Sequence, residues 1–352
     1  MSWYSRISTG QLSFYRAIPK IELHRHLEGS LRLDTLLDVA RQHGLTVPYT
    51  QFNSLVQMQK DDPQTLTNFL SKFQTLRMFY RSPEVIARIT REAIADAAAD
   101  GVRYLELRFT PVALSRMQGF SLSEVMEWVC QSADDASRDY HLPIKLIASV
   151  NRHESVELAE QVATLAVDFR NRGIAALDLA GNEADFSALP FAGVFRQAKA
   201  AGLHTTAHAG EWSGAESVRE VIEGLEVERV GHGVRVVENP LVMDMARERG
   251  TVFEVCITSN HQSGVVSKIE EHPIHQMVDA GLITTVNTDD PGISRITLTD
   301  EYRQALEVVG MPAAVLSDCI LNAAKAAFLP QAEREELVES ISPILRTIFQ
   351  LF

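Results

Sequence analysis

The chain has 352 residues, 45% of them hydrophobic and 22% charged, a balance that supports a sizeable buried core. Its 33 Lys and Arg against 46 Asp and Glu give a net charge of −13, which disfavours non-specific binding to nucleic acid or anionic membranes but leaves an uncharged nucleoside open as a partner. No stretch approaches ~18 uninterrupted apolar residues, the N-terminal run MSWYSRISTGQLSFYRAIPK has no apolar leader, and Cys130, Cys256 and Cys319 form no CxxC pair; a membrane span, a disulfide framework and a thiolate zinc site are set aside, and a reducing cytoplasm is expected.

No internal repeat, low-complexity tract or Pro/Gly/Ser linker divides the chain, so one domain over residues 1–352 is expected. In chain order, β-rich runs fall at 21–24, 104–109, 145–150, 176–179, 204–208, 229–231, 251–257 and 284–287. Residues 31–83 are too many for one βα connection and read as helices inserted after strand one. Residues 84–100 place Val85, Ile86, Ile89, Ala93 and Ala97 near a 3.6 period and stop at Gly101. Further helices are expected at 155–172, 191–201, 215–224 and 240–250, with a closing helix at 330–352. Eight strands alternating with helices predict an α/β fold, a TIM-type (β/α)8 barrel. An open doubly wound sheet is the rival, and no GxGxxG or GxxxxGK[ST] loop follows the first strand to support it.

The polar residues concentrate where such a barrel converges them, at the C-terminal strand ends. Strand one ends in His24-Arg25-His26, strand five in His208-Ala209-Gly210-Glu211, strand six in Gly231-His232-Gly233, and strand eight in Asn287-Thr288-Asp289-Asp290-Pro291. His24 and His26 are two apart and share one face of a strand. A lone strand histidine is most often a hydrogen-bonded core group; here His208 adds a third imidazole and Asp289 a carboxylate. Three nitrogens and one oxygen suit zinc. Glu211, three residues past His208, is positioned to face a metal-bound water without being a ligand, or is an ordinary loop acid. Asp289-Asp290 is a metal and ligand pair or a simple turn before Pro291. Gly181 is a turn glycine or a place where a ligand meets bare backbone. Leu66, Phe69 and Phe73 share one helical face, as core or as a lid. Arg108, ending strand two, reads as a partner to a zinc-site residue or as a structural ion pair. His204 starts its strand and reads as structural; His43, His141, His153, His261, His272 and His275 default to surface roles.

The ordered set Pro19-Lys20-Ile21-Glu22-Leu23-His24-Arg25-His26-Leu27-Glu28-Gly29, Asp178-Leu179-Ala180-Gly181, His208-Ala209-Gly210-Glu211, Gly231-His232-Gly233, Ser259-Asn260 and Asn287-Thr288-Asp289-Asp290-Pro291 resembles the adenosine deaminase family from about Pro19 to Leu329. The resemblance implies one zinc held by His24, His26, His208 and Asp289. It implies that Glu211 protonates purine N1, that His232 positions or deprotonates the attacking hydroxide, that Asp290 bonds N7, and that the Gly181 N–H meets N3. It places the helix bearing Leu66, Phe69 and Phe73 over the substrate. The reaction implied is replacement of the 6-amino group of adenosine or 2′-deoxyadenosine by oxygen, with release of ammonia.

Glu28 stands where many adenosine-specific members carry Asp, and it is expected near the ribose 5′ side. Members acting on adenine or on other 6-aminopurine nucleosides, such as aminodeoxyfutalosine, often carry Glu there. The neighbouring readings are a single-metal amide hydrolase and a non-catalytic nucleoside-binding protein. The strand-four end has no lysine to bridge two metals, and no ligand or acid of the set is missing. The cytidine-deaminase type of zinc site needs HxE and PCxxC, and neither is present.

Overall fold

The computed structural model describes residues 9–48 and 50–350. Eight parallel strands run in sequence order: β1 (Lys20–His26), β2 (Val102–Phe109), β3 (Ile144–Asn151), β4 (Ile174–Ala180), β5 (His204–Ala209), β6 (Arg229–His232), β7 (Val252–Val255) and β8 (Ile283–Val286). Each pairs with the next. The sheet closes where Arg25 bridges Asp289: His26 N donates to Asp289 O at 2.9 Å and Asp289 N donates to His24 O at 2.8 Å. This is the expected TIM-type barrel. Its closing seam joins the two motifs richest in ionisable residues.

The helix patterns fold as local rules dictate. Helix Pro83–Ala99 has Pro at its first turn, the Ser82 hydroxyl accepting from Val85 N, and Val85, Ile86, Ile89, Thr90, Ala93, Ile94 and Ala97 buried. The insert after β1 supplies helices Leu33–Gln42, Phe52–Val56 and Leu66–Leu76, then the 3₁₀ turn Arg77–Phe79. The predicted closing helix is Gln331–Phe349; the last two residues of its expected span lie outside the described residues, as do residues 1–8 of the N-terminal stretch read for a leader. The β-rich run at 251–257 is shorter than expected: β7 stops at Val255, and Ile257–Gln262 is a helix. Among the described residues, no helix is long and apolar enough to cross a membrane.

The barrel interior is charged rather than oily. Arg108 donates to Glu254 at 2.7 Å and to Leu23 O at 2.9 Å, and lies 3.5 Å from Asp178. Arg229 pairs with Glu106 and with Glu254, and lies 3.5 Å over the Phe328 ring. All five ionic groups are essentially inaccessible to solvent. Buried charges of this kind persist only when paired and hydrogen-bonded. The network forms a rigid floor beneath the strand ends.

Candidate active site

The floor orients the imidazoles above it. His24 Nδ1 donates to Glu254 Oε2 at 2.6 Å, and His208 Nδ1 to Asp178 Oδ1 at 3.1 Å. Ser149 Oγ holds the other Asp178 oxygen at 2.9 Å. With Nδ1 carrying the proton, each ring turns a bare Nε2 lone pair toward the barrel axis. His24 Nε2 is buried with no hydrogen-bond partner.

Four acceptor atoms then converge. His26 Nε2 lies 3.1 Å from His208 Nε2 and 3.3 Å from Asp289 Oδ1, and His24 Nε2 lies 3.4 Å from the same oxygen. Ser259 Oγ donates to Asp289 Oδ2 at 2.6 Å, which leaves Oδ1 for the cluster. Tetrahedral ligands on bonds of ~2.0–2.1 Å stand ~3.3 Å apart, so the spacing fits one zinc ion. The charge count fits as well. Arg108 and Arg229 pair with the buried carboxylates of Glu106, Asp178 and Glu254, and Asp289 above them faces only imidazoles and a hydroxyl, so among these groups two negative charges are left that one divalent cation closes.

Ligand atoms of His24, His208, His232 and Asp289 also all lie within 4.8 Å of one another, which makes His232 a rival donor to His26. A chain of hydrogen bonds decides between them. Ile274 N donates to His272 Nδ1 at 3.2 Å, so the neutral His272 ring carries its proton on Nε2 and offers it to Asn260 Oδ1 at 3.3 Å. Asn260 Nδ2 therefore faces His232 Nδ1, 3.1 Å away, and donates to it. Burial holds His232 neutral, far below its ordinary pKa. Its proton sits on Nε2, which leaves no lone pair there for a metal. That N–H points toward Glu211 at 3.6 Å and Asp289 Oδ2 at 3.9 Å.

Two carboxyls face this set as acids rather than anions. Burial, then the charges of Asp289 and Glu183, raise Glu211 well above the carboxylate range. Burial, then Asp289, Glu28 and Glu211, do the same to Asp290. Asp290 Oδ1 has no partner, and a Cβ on Gly29 would stand 1.7 Å from it, so the residue after Glu28 has to be glycine. Asp289 and His232 take positive φ, 65° and 58°. Such backbone is uncommon outside glycine and persists where the surroundings over-determine it.

Most expected residues line one cavity of about 290 Å³: His26, Glu28, Phe69, Phe73, Gly181, His208, Glu211, His232, Asp289 and Asp290. His24 lies behind it, fully buried. Leu66 is not brought there. It opens the helix Leu66–Leu76, one turn short of the mouth, and Leu70 lines the wall instead, beside Phe69 and Phe73. Glu28 Oε1 accepts from Thr110 N at 2.6 Å, while Oε2 has no partner. Burial raises its pKa to about 7. His272 is buried behind His232 and does not have the surface role expected for it, while His153 is exposed at the surface and also lines the cavity. His204 is structural as expected, bonded to Glu228 at 2.8 Å and stacked on Phe328. Arg108 resolves as the partner of Glu254 and Asp178.

Sequence reasoning missed Glu183. Its carboxylate accepts the backbone N–H groups of Gly210, Glu211 (3.0 Å), Trp212 (2.8 Å) and Ser213 (3.2 Å), and so fixes the turn that carries Glu211. The available signal was an acid three residues past the β4 end. Glu254 was missed too, within a strand that reads as core. Glu254→Gln keeps its shape but loses the charge that Nδ1 of His24 leans on. Zinc affinity should fall by about 10–100-fold, measured by competition with a chromogenic chelator; unchanged affinity would remove Glu254 from this role.

An amidohydrolase from Burkholderia ambifaria, with bound Zn, superposes with a TM-score of 0.90 at 26% identity, over 99% of this chain and 96% of that one. The adenine deaminase of Arthrobacter aurescens gives 0.84 at 25% identity, over 94% and 99%. The adenosine deaminase of Klebsiella pneumoniae is 34% identical over 329 residues, 93% of this chain and 98% of its own. The model of the adenosine deaminase family matches residues 19–344, which take in every strand end described above, and the chain belongs to that family.

Proposed function

We propose that the chain hydrolytically deaminates adenosine and 2′-deoxyadenosine at C6, with zinc held by His24, His26, His208 and Asp289. Zinc bound there supplies an activated water at neutral pH. Glu211, kept protonated by its surroundings, donates to purine N1 and makes C6 electrophilic. His232 holds the attacking oxygen through its Nε2–H. Asp290, also protonated, donates to the N7 lone pair. The Gly181 N–H meets N3, Glu28 faces the sugar, and Phe69 and Phe73 cover the base. Water and the amine are consumed as the C6 oxo group forms and ammonia leaves.

The observation that carries this reading is the placement of two buried carboxyls, Glu211 and Asp290, beside a four-acceptor cluster in one cavity, where burial and neighbouring charge raise both above the carboxylate range. An aminopurine offers ring lone pairs at N1 and N7 on opposite sides of C6 that can accept from two such donors; a simple amide or ester offers no such pair of ring acceptors. A second reading, free adenine or another 6-aminopurine nucleoside as substrate, is favoured by Glu28 and by the similarity to the Arthrobacter enzyme. The test is ammonia release from adenosine, 2′-deoxyadenosine, adenine and a 5′-modified aminopurine nucleoside, with and without chelator. Turnover of adenosine that a chelator stops is the expected result. Turnover of adenine alone would move the substrate, and silence with zinc bound would end the deaminase reading.

A further inference from the structure

The cavity continues past its aromatic wall. A second cavity of about 190 Å³ is lined by Arg77, Ala113, Arg116, Met117, Asn151 and Glu154, and three of these, Arg77, Ala113 and Asn151, line both spaces. Arg77 opens the 3₁₀ turn after the roofing helix and stands at the junction. Its charge acts on Glu28, Tyr80 and His153, so it sits among side chains brought by β1, β3 and the roof. Arg116 is neutralised by Glu154 through bonds of 2.8 and 2.9 Å. The Arg77 guanidinium has no hydrogen-bond or ion-pair partner among the described residues. An exposed arginine in water needs none. What sets this one apart is its position between two cavities whose deeper end holds the reacting groups.

The lining of the two cavities gives a direction. Asp290, Glu28 and Arg77 line the first, Arg77 is shared with the second, and Arg116 and Glu154 line only the second. Resting on the deaminase reading, a purine with C6 at the cluster passes Glu28 with its sugar and directs its 5′ carbon toward Arg77. We propose that this junction is an anion subsite, and that the enzyme accepts 6-aminopurine nucleosides whose 5′ substituent carries a phosphate or a carboxylate, bound by Arg77. A guanidinium matches either group with two parallel N–H···O bonds. With a net charge of −13 the chain as a whole repels such substrates, so acceptance requires a local cation.

The experiment compares kcat/KM for adenosine, adenosine 5′-monophosphate and adenosine 5′-carboxylate in the zinc enzyme, in Arg77→Gln and in Arg77→Lys. At least one anionic substrate should match or exceed adenosine. Arg77→Gln should lower the anionic-to-neutral ratio roughly 10–100-fold, the range for a charge-assisted bond, and Arg77→Lys should keep part of it. The preference should shrink with added salt. A phosphate-only or carboxylate-only preference identifies the source of the anion. Both anions ten-fold poorer than adenosine, or a ratio that Arg77→Gln leaves unmoved, overturns the subsite and leaves adenosine deamination standing. If no purine is turned over, the deaminase reading fails. Calorimetric binding of inosine 5′-monophosphate against inosine then decides the subsite: tighter binding of the anion that Arg77→Gln abolishes supports it, and equal binding refutes it.

Discussion

Glu211→Gln should lower kcat by about 10²–10⁴-fold, the loss typical of a general acid–base group, with zinc content unchanged. The amide still fills the space and still donates a hydrogen bond to N1, but it cannot transfer a proton. The acid is buried and close to Asp289 and Glu183, which keep it protonated well above the usual range. Two signs follow. The protonated form is the active acid, so activity in the wild type should fall as pH rises through the raised pKa of Glu211. Stability moves the same way. The folded state holds a proton that the unfolded state releases above its ordinary pKa, so the contribution of this group is fully present below about pH 4.3 and is lost as pH rises through the folded value. Glutamine never ionises and escapes that loss. Melting temperature at neutral pH should therefore equal or exceed that of the wild type while turnover collapses. Full activity of a zinc-loaded Glu211→Gln protein would falsify the assignment.

The barrel and the ends of β1, β5, β6 and β8 were legible because their signals are local. Strand and helix periods repeat along the chain, and His24 and His26 are two residues apart on one element. The β7 end misled because Cys256 and Ile257 are apolar whether they continue a strand or open a buried helix, and period alone cannot separate those cases. What stayed hidden was pairing across the barrel. Glu183 binds the Glu211 turn from the neighbouring strand's loop, and Asn260 and His272 set the His232 tautomer from the segment after β7. No spacing rule in one sequence connects residues that far apart. Leu66 shows the opposite failure. It has the right helical phase, but phase does not say where along its axis a helix meets a cavity. Arg77 was invisible for the same reason, since an arginine at a helix end reads as a solvated cap until the roof is set in place.

Removing the metal should abolish turnover, and stoichiometric zinc should restore it. The ligand cluster explains why the effect must reach stability as well. The acceptors of His24, His26, His208 and Asp289 stand 3.1–3.4 Å apart, so removing the cation would set lone pairs and a buried carboxylate against one another. That arrangement is relieved only by taking up protons or by loosening the β1–β8 seam, where Asp289 N bonds His24 O at 2.8 Å. The chelated protein should thus melt at a lower temperature than the zinc form. The gap should widen with free zinc, as binding to the native state alone adds about 2.7 kcal/mol at 100 times Kd. Zinc needs neutral imidazoles, so affinity should weaken as falling pH protonates the ligands. His24→Gln and Asp289→Asn should each reproduce the chelated state, with low zinc content and negligible turnover. His232→Gln should instead bind zinc normally and lose only turnover, because the proton on its Nε2 keeps it out of the ligand set. Loss of zinc in His232→Gln together with retention in His26→Gln would exchange their roles, and the tautomer chain from Ile274 through His272 and Asn260 would then have to be reversed.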